Sequence, residues 1–260
     1  MTGRRRDAGA HEVPRTPVSH RAVSLFVTGT DTGVGKTVVS TALARAFRDR
    51  GMCVGVLKPA ETGWPATADQ EASTDGARLR DAAGDPDPLT EIVPVRLAEP
   101  LAPAVAAERA GMSIDFAGLV NHARAKAERV DLLLLEGAGG LLVPLADRHT
   151  TLDLVVALGT PVLVVAGNRL GVINHTLLTV DRLVSANVAL AGVVLNRVTA
   201  CADLAQGENP HTLARLLGSR YLGEIPWLGE VPDAASAAAA LTRAIDLERL
   251  WAGVSSARLA

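Results

Sequence analysis

The chain has 260 residues, of which 48% are hydrophobic and 21% charged, a balance that suits one large α/β domain with a buried core and excludes an intrinsically disordered protein. A net charge of -2, from 26 basic and 28 acidic residues, offers no excess of positive charge for nucleic acid, so a polyanionic partner is not expected. The two cysteines, Cys53 and Cys201, have neither disulfide-scaffold nor metal-ligand spacing, which points to a reducing, cytoplasmic setting.

Residues 1–22 carry Arg4, Arg5 and Arg6 without an apolar stretch, which excludes an ordinary secretory signal; they are expected to form a flexible extension to a single domain over 23–260, with a transit peptide as the alternative. Five short apolar runs of strand length then follow: Val23–Val27, Val54–Leu57, Asp131–Leu135, Val162–Val165 and Leu190–Leu195. Segments of helical period lie between them at Lys36–Arg50, Ser113–Glu128 and Ile173–Ala186, and the Ala-rich stretch Ala234–Ala240 predicts a further helix. Such alternation predicts a parallel sheet covered by helices on both faces. Thr62–Ser73, rich in small residues, reads as a long loop at a strand end, where ligands of open α/β sheets gather. The most apolar stretch, Asp153–Gly167, is broken by Gly159 and Pro161 and falls short of the roughly 20 residues that span a bilayer, so no membrane partner is expected.

The first strand runs into Gly29-Thr30-Asp31-Thr32-Gly33-Val34-Gly35-Lys36-Thr37 and then a helix, the setting of a phosphate-binding loop. Glycines let successive N–H groups turn toward one anion, Lys36 reaches the β- and γ-phosphates, and the Thr37 hydroxyl can bind magnesium. Thr30 stands where the general pattern has its first Gly, so the loop is a variant. The alternative, a Gly-rich strand-to-helix turn with an incidental lysine, does not account for the full set. Glu136 closes the apolar run from Asp131 and meets the requirement for a second, metal-holding acid. Gly137, Ala138, Gly139 and Gly140 follow it and let backbone approach a ligand.

These residues resemble the dethiobiotin synthetase family. The likeness rests on Val27–Thr32 leading into Val34–Thr37, on Lys58-Pro59 with Thr62-Gly63, and on Glu136–Gly140. It continues through Leu170-Gly171, Ile173–His175 and Leu178-Thr179, then Asn196 and Gly223–Leu228, all in family order. The resemblance implies a doubly wound, mostly parallel sheet of the phosphate-loop NTPase type and a homodimer with its sites near the subunit interface. It implies an ATP- and Mg2+-dependent ligase of biotin biosynthesis that closes a ring on 7,8-diaminopelargonate with CO2, by way of a carbamate and its phosphoric anhydride.

Carried over position by position, the resemblance makes Lys58 and Lys36 catalytic and gives the metal to Thr37, Asp75 and Glu136, with Asp69 and Asp81 as alternatives to Asp75. The nucleotide falls to Gly33, Val34, Gly35, Lys36, Thr37 and Val38, to Asp75, and to Glu136, Gly137, Ala138 and Gly139. Its base falls to Asn196 and Arg197 and to a wall of Pro226, Trp227 and Leu228, with Asp233 beyond. Thr32, Lys58, Thr62 and Asn174 are implied for the diamine, Asn174 from the partner subunit; an N-cap is the bland alternative for Asn174. The sequence departs from the family where Arg197 replaces a common acid, where Gly33 replaces a common Glu, and after Val198, where a substrate-contacting Tyr is missing and His211 is the candidate substitute. Two other classes share the loop chemistry. ParA- or MinD-like switch ATPases carry an extra lysine that positions 29–35 lack, and cobyrinate-type amidoligases need a glutaminase domain for which the chain has no room.

Overall fold

Every apolar run read as a strand forms one, and the sheet they make is parallel throughout. The computed structural model describes residues 23–201 and 203–256, so the extension expected over 1–22 lies outside the described residues. β1 (Val23–Gly29) feeds the phosphate loop and α1 (Lys36–Arg48); β2 (Val54–Leu57) and β3 (Ala60–Thr62) lead through a 3-10 turn at Ala68–Ser73 into α2 (Asp75–Ala83). α3 (Leu89–Ile92), β4 (Val95–Leu97), α4 (Pro103–Arg109) and α5 (Phe116–Ala127) precede β5 (Leu132–Gly140). A small hairpin of β6 (Pro144–Ala146) and β7 (His149–Thr150) is followed by α6 (Thr151–Leu158), β8 (Val162–Gly167), α7 (Val172–Ser185) and β9 (Leu190–Asn196). The chain ends with α8 (Leu204–Leu217), β10 (Tyr221–Ile225), α9 (Ala234–Ala244) and α10 (Leu247–Ser256).

The six-stranded sheet has the order β10-β9-β8-β1-β5-β2, so the chain runs from β1 to one edge, returns through β5 and crosses β1 to β8 and the other edge, opening a crevice beyond the carboxyl end of β1. Alternate side chains serve opposite faces. Leu132 and Leu134 of β5 pack with Val39 and Leu43 of α1, whereas Leu133 and Leu135 pack with Leu119 of α5 and Val155 of α6. Burial on both faces explains why these strands read as continuous apolar runs rather than alternating ones.

Among the elements the sequence did not foretell, three departures have clear physical reasons. β5 continues past Leu135 to Gly140 because β1 pairs alongside it, Val27 opposite Glu136 and Gly29 opposite Gly140. β10 was not foreseen; it pairs with β9, and its Gly223 at φ 139 lies so close to Ala244 that a Cβ would come within 2.2 Å of that carbonyl. α8 was hidden by Gly207 and Pro210. Proline removes the N–H that would have bonded the carbonyl of Gln206, and Asn168 donates to that carbonyl from outside the helix at 2.9 Å.

At the β2 edge, the N–H of Val56 donates to Asp85 Oδ2 at 2.9 Å, and the Lys126 ammonium, whose residue is 1% exposed, reaches Asp85 at 2.8 Å and Asp87 at 2.6 Å. Asp85 thereby satisfies a free edge group while its own charge is balanced. Lys126→Ala leaves that carboxylate buried and unpaired, so urea unfolding should show a loss of about 3–5 kcal/mol; a loss under about 1 kcal/mol would mean the pair behaves like an exposed one.

Candidate active site

The phosphate loop follows β1 and turns on Gly33 at φ 73 and Gly35 at φ 87, backbone states that glycine adopts without strain. Gly35 is the N-cap residue of α1, so the first helical N–H groups face the loop's hollow. Asn196, at the end of β9, donates from Nδ2 to the Val34 carbonyl at 3.0 Å, and a Cβ on Gly35 would lie 2.0 Å from that nitrogen. Asn196 therefore braces the loop from a neighbouring strand. Lys36 folds back to donate to the Asp31 carbonyl at 3.3 Å, and burial holds its pKa below that of an ordinary lysine. Asp31 is tied in turn to Arg169 at 2.6 Å.

Opposite the loop stands a buried ion cluster. Lys58, 4% exposed just beyond β2, donates to Glu136 Oε1 at 2.5 Å and to Asp75 Oδ2 at 2.6 Å. Burial works to lower the pKa of Lys58, but the carboxylates of Glu136 and Asp75 outweigh it and hold the ammonium charged. Burial likewise works to raise Asp75, and the adjacent Lys58 overcomes it and leaves the acid below its usual value. The Thr37 hydroxyl donates to the same Glu136 Oε1 at 2.9 Å. Glu136 Oε2 is buried with no hydrogen-bond partner.

Two clefts meet at the loop. One, of about 360 Å³, is lined by Thr32, Gly33, Gly35, Lys36, Thr37 and Val38 on one side and by Lys58, Glu61, Thr62, Asp75, Arg78, Ala138 and Gly139 on the other. The second, of about 310 Å³, shares Gly33, Gly35 and Val38 and is walled by Asn196, Arg197, Val198, Trp227, Leu228, Gly229 and Glu230. An anion on the loop would thus have cationic and carboxylate groups at one end and an aromatic wall at the other. The donor set fits a hard cation: two carboxylates and a hydroxyl converge, and the unpartnered Glu136 Oε2 is an acceptor in want of a positive charge. No cluster of three or more His, Cys, Asp or Glu side chains with metal-ligand geometry occurs among the described residues, so any ion here would rely on phosphate and water for its remaining ligands.

A family model described as an AAA domain matches residues 23–235. The ATP-dependent dethiobiotin synthetase of Anaeromyxobacter dehalogenans is 48% identical over 217 residues, covering 84% of this chain and 94% of that protein. Those of Thermodesulfovibrio yellowstonii (37% identical, 79% and 89% covered) and Bacillus thuringiensis (38% identical, 78% and 82% covered) are similar over nearly the same span. The chain belongs to the ATP-dependent dethiobiotin synthetase family.

In this family member the structure brings Thr32, Lys36, Thr37, Lys58, Thr62, Asp75 and Glu136 around one cleft, with Gly33, Gly35, Val38, Ala138 and Gly139 supplying its backbone walls. Asp75, not Asp69 or Asp81, reaches Lys58; Asp81 pairs with Arg80 instead. Val34 is buried and acts through its carbonyl, and Gly137 backs onto Phe26, where a Cβ would lie 3.0 Å from the ring. Trp227, Leu228 and Arg197 line the second cleft, and Arg197 also donates to Glu224 at 3.3 Å. Pro226 is exposed outside the lining. Asp233 accepts from Ser236 N–H at 2.9 Å as the N-cap of α9, the role its position before an Ala-rich helix calls for. Asn174 is exposed in the first turn of α7, whose N-cap is Gly171, so it neither caps that helix nor lines either cleft of its own protomer. His211 is exposed on α8 and lines neither cleft.

Glu61 and Arg78 were missed. Arg78 lies one helical turn after Asp75 on α2, a spacing that flags it once Asp75 is assigned, whereas Glu61 on β3 bonds only backbone N–H groups and gives no such signal. For the loop itself, Gly35→Ala adds a Cβ against Asn196 in a left-handed backbone. A strain of about 1–3 kcal/mol should weaken ATP binding about 10- to 100-fold by calorimetry with the fold retained, and parental affinity in that variant would show that Asn196 does not brace the loop.

Proposed function

We propose that this chain closes the cyclic urea of dethiobiotin from 7,8-diaminopelargonate, CO2 and ATP, with Mg2+ as its metal. The observation that carries the reading is Lys58, buried between Glu136 and Asp75 across one cleft from Lys36. That arrangement supports a negatively charged acceptor brought up to a terminal phosphate.

In the proposed sequence an amine of the diamine adds to CO2 and loses a proton, giving a carbamate. A carbamate oxygen then attacks the γ-phosphorus while the bond from phosphorus to the β–γ bridging oxygen breaks, and ADP leaves. The second amine attacks the carbamoyl carbon and loses a proton, the C–O bond to phosphate breaks, and phosphate departs with the ring closed. Lys36 and the loop N–H groups hold the phosphates, and the ammonium of Lys58 stabilises the charge that grows on the carbamate and on the transferring group. Thr32 and Thr62 offer hydroxyl contacts to the diamine. Thr37, Asp75 and Glu136 would hold the metal, which when bound neutralises charge on the β- and γ-phosphates. The base would lie along Trp227 and Leu228, with Arg197 at the rim and the Oδ1 of Asn196 as the acceptor for an exocyclic amine, since its Nδ2 already serves Val34.

The reading extends to a cytoplasmic homodimer in which Asn174 of one subunit meets the diamine held by the other. Exposure of Leu170 and Leu178 around Asn174 supports such a contact, and no helix among the described residues is long and apolar enough to cross a membrane. A switch ATPase is less well supported, because the loop carries no second lysine and the family is one of ligases.

Incubation with ATP, magnesium, bicarbonate and the diamine should yield dethiobiotin by mass spectrometry; ATP hydrolysis indifferent to the diamine would instead favour a switch. Lys58→Ala should lower kcat by about 10²- to 10³-fold while ATP still binds, whereas Lys36→Ala should weaken ATP binding as well. Near-normal kcat in Lys58→Ala would remove that residue from the chemistry. Mixing Lys58→Ala with Asn174→Ala subunits should restore activity that neither variant has alone, and no restoration in exchanged dimers would place Asn174 outside the site.

A further inference from the structure

The cleft holds a third carboxylate, itself buried, that takes no part in the chemistry above. Glu61, 7% exposed in β3, accepts from the Asp75 N–H at 2.8 Å with Oε1 and from the Gly76 N–H at 3.0 Å with Oε2. These N–H groups open α2, where the helix supplies no partner of its own and its dipole favours a negative charge. Yet α2 already has a cap, because the hydroxyl of Thr74 accepts from the Ala77 N–H at 3.2 Å. One such cap is what most helices use.

The second clamp falls on the backbone of Asp75, whose carboxylate meets Lys58 at 2.6 Å. β3 carries it, with Glu61 paired opposite Arg96 of β4. The fit is close: a Cβ on Gly76 would lie 2.1 Å from Val93 Cγ2 and 3.3 Å from Glu61 Oε2.

We propose that Glu61 is a positioning residue that fixes the start of α2 so that the carboxylate of Asp75 is held ready for Lys58 and for a divalent cation. The inference rests on the reading of Asp75 as a metal ligand. It differs from simple helix capping in a measurable way, because Thr74 caps the same helix without touching Asp75's backbone N–H.

The test compares Glu61→Gln, which keeps the shape and one acceptor oxygen, with Thr74→Ala and Asp75→Asn in the full chain. Thermal melting reports stability, and electron paramagnetic resonance reports Mn2+ bound to the protein–ADP complex without any turnover. Glu61→Gln should weaken Mn2+ binding about tenfold and raise the magnesium needed for half-maximal activity, while Thr74→Ala lowers the melting temperature at least as much and leaves Mn2+ affinity unchanged. The proposal is overturned if Glu61→Gln binds Mn2+ as tightly as the parent, or if Thr74→Ala weakens it equally. If Asp75→Asn also leaves Mn2+ affinity intact, the metal reading of Asp75 fails as well; if only Asp75→Asn weakens binding, the failure belongs to Glu61 alone. Should Glu61→Gln melt below the assay temperature, Glu61→Ala measured in the cold decides by the same criteria.

Discussion

A lysine ammonium removed from water needs opposite charge at hydrogen-bond distance, and in this chain that need organises the site. Lys58 lies beyond β2, Glu136 on β5 and Asp75 at the start of α2, so the cluster exists only when separate crossover units of the sheet have docked. Removing Lys58 strands the buried carboxylate of Glu136, which is far more costly than losing an exposed pair. Order at the site and completion of the fold are thereby coupled.

The same cluster ties the phosphate loop to the strand-end acid. Glu136 Oε1 serves both Lys58 and the Thr37 hydroxyl, which links the strand-end acid to the first turn of the phosphate-loop helix. Lys36, lacking such a partner, folds onto its own loop and is held less basic by burial. One lysine is therefore neutralised by carboxylates of the protein, and the other lines the cleft beside the loop. From the far side, Asn196 steadies the loop and joins it to the cleft walled by Trp227, so both halves of the proposed nucleotide site depend on a single bend.

Much of this was legible in the sequence because fully buried parallel strands read as unbroken apolar runs and because a phosphate loop needs its glycines and lysine in fixed order. What escaped had physical causes. α8 contains Gly207 and Pro210, and it survives because Asn168 satisfies the carbonyl that proline orphans, a tertiary contact 38 residues away. Glu61 went unnoticed because its partners are backbone N–H groups 14 and 15 residues on, which carry no side-chain signature. Asp233, which the resemblance implies for the nucleotide, also follows a local rule, an acid ahead of an Ala-rich helix, and caps α9.

The central claim is that the charge held at Lys58 meets a carbamate at the moment it takes a phosphoryl group. A single turnover with 18O-labelled CO2, quenched before label washes into water, tests this most directly. The account requires one carbon-dioxide oxygen to appear in the inorganic phosphate, since the anhydride's C–O bond breaks on ring closure. Phosphate released without label, alongside normal dethiobiotin, would contradict it.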